Sequence, residues 1–240
     1  MRFENRANGE LNAPSYAAAV PAMSRRAALF DLDRTLVRID TARLYTRFRR
    51  DRGEASLRDA LQVAWWALQY TLGVIDAPRV ALAALASFAG KEEQWLLKSC
   101  EEWFPQYVLP EIQARGREIV KGYREAGDLV AIVTAATVYA ARPVAREIGI
   151  EHIVCSELEL DQQRRFTGRV VEPLCYGQGK VTLAERLLAR EGIDFQNVTF
   201  YSDSITDLPL LSRVSVPIAV NPDRRLARTA KNKGWKIELW

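Results

Sequence analysis

The stretch Ala27-Ala28-Leu29-Phe30-Asp31-Leu32-Asp33-Arg34-Thr35-Leu36-Val37 decides the fold. An apolar run without a turn residue delivers two carboxylates separated by one residue, and a hydroxyl and a second apolar step follow. A continuous hydrophobic run of this kind predicts a buried parallel strand. In open α/β sheets, ligands bind beyond the carboxyl ends of the strands. Asp31 and Asp33 are therefore expected where chemistry is done, both reaching one small volume. Two nearby carboxylates repel unless a cation or a shared proton joins them, and a divalent ion with oxygen ligands suits that task. Taken alone, an Asp-x-Asp after a strand is equally an acidic turn, so its meaning depends on the rest of the chain.

The 240 residues are 48% hydrophobic and 27% charged, with a formal net charge of +4. This is ordinary globular usage, and the length allows one or two domains. The modest positive charge is scattered through predicted helices, which argues against nucleic acid as a partner. Cys100, Cys155 and Cys175 are odd in number and lack Cys-x-x-Cys spacing. A reducing, cytoplasmic setting follows, with no disulfide framework and no zinc site. The lone histidine, His152, removes His-rich metal sites and Ser-His-Asp triads from consideration. Residues 1–23 lack both the apolar core of a signal peptide and any periodicity, so a disordered N-terminal arm is expected, with Met23 a possible start. The stretch from Ala60 to Ile75 is interrupted by Gln62 and Gln69 and is too short to span a bilayer, so no integral membrane segment is expected. Nothing in the sequence sets the oligomeric state.

After Val37, Asp40 or Thr41 can cap a helix carrying Leu44, Tyr45 and Phe48, closed by Gly53. Ser56 can cap a second helix with Leu57, Leu61, Trp65, Leu68 and Leu72 at helical spacing, and Asp76 with Pro78 opens a third that ends near Gly90. A fourth carries Trp95, Leu96, Cys100, Trp103 and Phe104 before Pro105 stops it. Four helices with short connections read as a bundle whose tryptophans are core. From Pro110 the pattern changes. A helix to Ala126 leads into the buried-strand pattern Asp128–Thr134, and a helix from Tyr139 to Ile148 precedes a short strand at Ile153-Val154. Glu157–Leu160 and Phe166–Val171 flank a polar stretch and predict a hairpin. Lys180 opens a helix to Glu191, Val198–Tyr201 is a third buried strand ending in Ser202-Asp203, and a short helix follows. A strand at Val216–Val220, a helix near Asp223–Lys231 and a strand at Trp235–Leu239 complete the chain. Strands alternating with helices predict a Rossmann-like, doubly wound parallel sheet. The expected domains are a core of residues 24–40 and 106–240 and an inserted helical-bundle cap of residues 41–105, placed to act as a lid.

Polar groups then fall at strand ends or helix starts in a fixed order: Asp31 and Asp33, Thr134, Lys180, and Asp203 with Asp207. Singly, Thr134 reads first as a helix cap and Lys180 as a surface lysine, and Asp203 and Asp207 read equally as caps and turn residues. Jointly they form a set that chance does not readily supply.

Asp31-Leu32-Asp33-Arg34-Thr35 resembles the first motif of the haloacid dehalogenase superfamily. Val133-Thr134-Ala135-Ala136-Thr137 is similar to the second, Gly179-Lys180 to the third, and Ser202-Asp203-Ser204-Ile205-Thr206-Asp207-Leu208-Pro209 to the fourth. The helical insertion resembles the cap (C1 type) of the phosphoserine-phosphatase-like branch, subfamily IB. This resemblance implies a Mg²⁺-dependent phosphomonoester hydrolase acting through an aspartyl-phosphate. It implies Asp31 as nucleophile and Asp33 as general acid and then base, with a raised pKa. Thr134, Ala135 and Lys180 would hold the phosphoryl group, and Asp31, Asp203 and the Asp33 carbonyl would bind Mg²⁺. Asp207 would position the metal's water ligands or Lys180. Arg34 stands where many relatives carry Gly, Ser or another small residue and some carry a basic one. Thr206 stands where phosphoserine phosphatases typically carry Asn.

Asp40 lies where phosphoserine phosphatases place a carboxylate for the substrate's ammonium group, and it is equally the cap of the first inserted helix. Arg43, Arg47, Arg58 and Arg79 are alternatives for a substrate carboxylate. The resemblance thus implies a small, amino-bearing phosphomonoester of the phosphoserine or histidinol phosphate type. A Trp65-Trp66-Tyr70 surface that admits a lipid tail would instead make a lysophospholipid phosphatase. Two other classes compete: a phospho-accepting signalling module and a non-catalytic binding protein.

Overall fold

The computed structural model describes residues 25–54 and 86–240. Strand β1 (Ala27–Phe30) is buried at every position. Its side chains alternate, as a strand's must: Ala28 and Phe30 enter one apolar cluster, Ala27 and Leu29 the other. Parallel neighbours β2 (Leu129–Thr137) and β5 (Val198–Ser202) flank it. Beyond β2 lie β3 (His152–Leu160) and β4 (Phe166–Val171); beyond β5 lie β6 (Val216–Val220) and β7 (Lys236–Glu238). The sheet order is β4-β3-β2-β1-β5-β6-β7, and only the β3–β4 hairpin is antiparallel.

Helices cover both faces. On one face, helices α1 (Thr41–Asp51), α2 (Glu93–Trp103), α3 (Ala114–Glu125) and α4 (Val138–Ile148) contribute Phe48, Trp103, Val120 and Val144 to the cluster that holds Phe30. On the other face, α5 (Gln178–Arg190), α6 (Leu208–Leu211) and α7 (Arg224–Lys233) contribute Leu187, Leu210 and Leu226 to the cluster around Leu29. The expected doubly wound α/β core is therefore present. From β1 the chain builds outward first through β2 and then, on the opposite side, through β5. The carboxyl ends of β1 and β5 thus meet where the strand order reverses, the crevice that such sheets use for ligands.

Several boundaries differ from expectation. Pro105 does not end the helical path: α2 passes into a π turn (Phe104–Val108) and a 3₁₀ turn (Leu109–Glu111). Proline is tolerated in the first turn of a helical segment, where its missing N–H has no partner to lose, and both Pro105 and Pro110 stand at such a start. The helix expected from Pro110 consequently begins at Ala114. The two short strands at Ile153 and Glu157 are one continuous strand, and the last strand is only Lys236–Glu238.

The expected arm, the helices opened by Ser56 and Asp76, and Trp65, Trp66 and Tyr70 lie outside the described residues. Within them, α1 packs on α2, with the Tyr45 hydroxyl 2.9 Å from Ser99 Oγ and the Tyr45 ring edge-on to buried Trp103 at 5.6 Å. The segment leading into α2 is tied to the hairpin by its backbone: Gly90 N donates to Phe166 O (2.8 Å), Phe166 N to Lys91 O (2.9 Å) and Glu93 N to Arg164 O (2.9 Å).

Candidate active site

Asp31 is the first residue after β1, and its N–H donates to Tyr201 O at 2.9 Å, continuing the pairing with β5. Its carboxylate is buried. Lys180, in the first turn of α5, reaches it: Nζ donates to Asp31 Oδ1 at 2.6 Å and to Asp207 Oδ2 at 2.7 Å. The Lys180 side chain is 3% exposed, which removes the surface-lysine alternative. The residue before it has to be glycine, because a Cβ on Gly179 would stand 1.9 Å from Leu174 O. Gly179-Lys180 is thus a packing requirement followed by a buried charge.

Asp207 is buried and does not cap α6 with its side chain. Its Oδ2 accepts from Ser202 Oγ as well (2.7 Å), while Ser202 Oγ accepts from Ser204 N (3.2 Å). Asp203 is buried beside this group, with Arg34 Nε 3.4 Å from its Oδ2. Thr134 is buried inside β2 rather than at its end, because the strand runs on to Thr137 through an irregular register. Its Oγ1 accepts from Ala136 N at 3.1 Å, and it caps no helix. Ala135 beside it is exposed.

Asp33 is half-buried, and its Oδ1 accepts from Thr41 N at 2.7 Å. The cap of α1 is therefore Asp33, from eight residues upstream, and not Asp40 or Thr41 as the local pattern suggests. Asp40 makes no side-chain capping bond. The structure thus joins Asp31, Lys180 and Asp207 directly; the charges of Asp203 and Asp33 act on the Asp31 carboxyl and that of Asp40 on Asp33, while Thr134 and Ala135 stand on β2, the strand beside β1.

Two contributors escaped the sequence reading. Ser202 stood in the strand end and in the fourth motif without a role of its own. Asp223 carries a visible N-cap signal, yet its role is double: Oδ1 accepts from Arg225 N (2.8 Å) and Leu226 N (2.9 Å), while Oδ2 accepts from Ile205 N (2.7 Å) in the loop after Asp203. Its own N–H donates to Asp203 O at 2.8 Å. Asp223 therefore pins the Asp203 loop to the start of α7.

Electrostatics follow from this crowding. Burial raises the Asp31 carboxyl well above the usual range; Lys180 opposes that, while Asp207, Asp203 and Asp33 reinforce it. Burial pushes Asp203 up to about 7, against the pull of Arg34 and with the repulsion of Asp207. Burial, then the charge of Asp40, pushes Asp33 up to about 6, with the Thr41 N–H opposing. Burial works against the Lys180 charge, yet Asp207 and Asp31 outweigh it and hold the ammonium above the usual lysine range. Buried negative charge at Asp31 and Asp203 is thus only partly offset, and its donors are hard oxygens. Among the described residues no three His, Cys, Asp or Glu side chains form a ready-made metal cage. A cation here would take two carboxylates and complete its shell with carbonyl oxygen and water, which is how Mg²⁺ is commonly held. The donor chemistry fits that ion.

Comparison with known proteins agrees with this geometry. A profile of the haloacid dehalogenase-like hydrolases matches residues 28–212. A histidinol-phosphatase of Neisseria meningitidis is 32% identical over 215 residues, 88% of this chain and 96% of its own. Phosphoserine phosphatase SerB1 of Mycobacterium tuberculosis is 33% identical, covering 88% of this chain and 70% of its own. Among solved structures, a Bordetella pertussis protein of unknown function superposes with a TM-score of 0.83 at 31% identity, covering 90% of this chain and 98% of its own. A phosphoserine phosphatase solved as a phospho-aspartyl intermediate analogue shares the fold, with a TM-score of 0.66 at 16% identity over 90% of this chain and 93% of its own. The chain belongs to the haloacid dehalogenase-like hydrolases. It is an enzyme of that hydrolase family, with relatives named histidinol-phosphatase and phosphoserine phosphatase. Among the described residues, no helix is long and apolar enough to cross a membrane.

Proposed function

We propose that this protein is a Mg²⁺-dependent phosphomonoesterase that works through a phosphorylated Asp31 on a small, amino-bearing ester of the histidinol phosphate or phosphoserine type. The observation that carries this is the buried contact of Asp31 with Lys180, itself braced by Asp207, at the crevice of the sheet. The Asp31 carboxylate attacks phosphorus and the P–O bond to the alkoxide breaks. Asp33 gives the departing oxygen its proton, and a carboxyl raised to about 6 is suited to hold one near neutrality. Water then attacks phosphorus, Asp33 takes its proton, and Asp31 and inorganic phosphate are released. Lys180, Thr134 and Ala135 hold the phosphoryl oxygens. Asp31, Asp203 and the Asp33 carbonyl hold Mg²⁺, which supplies charge neutralisation for those oxygens.

For the substrate, support comes from Asp40. It is not spent on capping α1, and its charge is felt at Asp33. A carboxylate so placed suits an ammonium group. The curated relatives named histidinol-phosphatase and phosphoserine phosphatase agree with an amino-bearing ester. Arg43 and Arg47 are exposed, and Arg58 and Arg79 lie outside the described residues. A receiver module needs no acid for an alkoxide, and a binding protein has no use for the complete set of charged groups. A panel of histidinol phosphate, phosphoserine, phosphoethanolamine and lysophosphatidate tests the choice. One amino-bearing ester should exceed the others by at least about tenfold in kcat/KM, and Asp40→Asn should erase that margin. Equal, slow hydrolysis of all four would sink the assignment.

Metal binding should be visible in stability. A carboxyl whose folded pKa is raised stabilises the cation-free fold below its unfolded pKa, and that stability is lost as pH rises through the folded value. For Asp203 the loss runs upward from the ordinary carboxylate range and is complete above about 7. Mg²⁺ binds only the ionised carboxylates, so the gain in Tm on adding Mg²⁺ should be small near pH 5 and grow towards pH 8. A gain independent of pH would remove Asp203 from the metal site.

Asp223 gives a further test. Asp223→Ala should reduce stability by about 1 kcal/mol through the lost cap and turnover by roughly tenfold or more through the released Asp203 loop. Asp223→Asn, which keeps an acceptor, should retain most of both. Full turnover in the alanine variant would reduce Asp223 to a helix cap.

A further inference from the structure

We propose that Arg34 is a tethered counter-ion for Asp203 that competes with the divalent cation, so that metal loading requires the guanidinium to withdraw. The proposal rests on Asp203 being a metal ligand, as assigned above. Lys180 is committed, with its ammonium 2.6 Å from Asp31 and 2.7 Å from Asp207. The cation paired with Asp203 is Arg34, at 3.4 Å from Oδ2. The two partners are unequal: the Asp203 side chain is 6% exposed and has nowhere to go, while that of Arg34 is 51% exposed and has solvent beside it. Their contact is a charge pair without a hydrogen bond of good geometry, so releasing it sacrifices little.

The backbone marks the position as well. Arg34 has a φ of 59°, in the left-handed region that glycine occupies without strain. An arginine held there sets a guanidinium against Asp203, a carboxylate of the group that Lys180 does not touch. A guanidinium and a divalent ion on the same carboxylate repel each other at this range. The ion-free site is therefore already occupied by a charge of the chain's own, and the cation has to displace it.

The test uses Mn²⁺ alone as probe, titrated into metal-stripped enzyme and followed by the electron paramagnetic resonance of free Mn²⁺. Wild type is compared with Arg34→Gln, Arg34→Gly and Asp203→Asn, each checked for an intact melting transition. Arg34→Gln removes the charge at an unchanged backbone; Arg34→Gly also relieves the left-handed strain. Both should bind Mn²⁺ about threefold to tenfold more tightly than wild type, the size of a partly exposed ion pair, and Asp203→Asn should abolish binding. If Arg34→Gln binds equally or more weakly while Asp203→Asn abolishes binding, the counter-ion proposal is overturned and the metal site stands. If Asp203→Asn binds as wild type does, Asp203 is not a ligand and both fall.

Discussion

Asp31→Asn is expected to abolish turnover of p-nitrophenyl phosphate in the presence of Mg²⁺, by about 10⁴-fold or more, as removal of a nucleophile from a catalytic unit does. The protein should nonetheless fold. Asp31 is buried, and its charge is opposed by desolvation and, after the compensating pull of Lys180, by the charges of Asp207, Asp203 and Asp33. An amide of the same shape removes the repulsion, and Lys180 keeps Asp207. Because the folded pKa of Asp31 is raised, its contribution to stability is present at acidic pH and fades as pH rises through the folded value. The melting temperature of Asp31→Asn relative to wild type should therefore climb from pH 5 to pH 8. Hydroxylamine trapping of a labelled acyl phosphate should succeed with wild type and fail with the variant. Equal turnover by both proteins anywhere between pH 5 and pH 9 would end the assignment of Asp31 as nucleophile.

Lys180→Met carries the second large effect, on stability and activity together. Methionine fills much of the space, but two buried carboxylates lose their cation. Removing one partner of a buried pair costs about 3–5 kcal/mol, because the remaining charge is stranded. Removing the ammonium raises the Asp31 carboxyl further, so the deficit should be greatest near pH 8 and shrink towards pH 5, where protonation relieves it. Urea denaturation at the two pH values measures this directly. A second substitution, Asp207→Asn, should restore part of the stability at pH 8 and none of the activity, since the pair couples through direct contact at 2.7 Å. A deficit identical at both pH values would assign the loss to packing instead of charge.

Much of the core was legible because its signals are local. β1 and β5 are short apolar runs without breakers, and a central strand buried on both faces permits nothing else. The site residues were legible for a related reason: Asp31 and Asp203 follow directly on such runs, and the sheet delivers strand ends to one edge. The errors were local rules overridden by a more distant partner or by a different local turn. Asp40 matched the N-cap pattern of α1, yet the Thr41 N–H is taken by Asp33. Pro105 matched a stop signal, yet a π turn accommodates it in its first turn.

By itself, then, the sequence determined where most of the described strands and helices fall, that the sheet is doubly wound, and in what order the charged groups follow along the chain. Hydrophobic periodicity and turn chemistry act over a few residues and survive without knowledge of neighbours. Only the tertiary structure decided which charges meet. Lys180 stands between Asp31, 149 residues away, and Asp207, 27 residues away. Asp223 spans two loops, and Arg34 answers Asp203 across the β1–β5 crevice. Those pairings arise from strand order and from the burial that makes an unpaired charge costly, and no local pattern encodes either one.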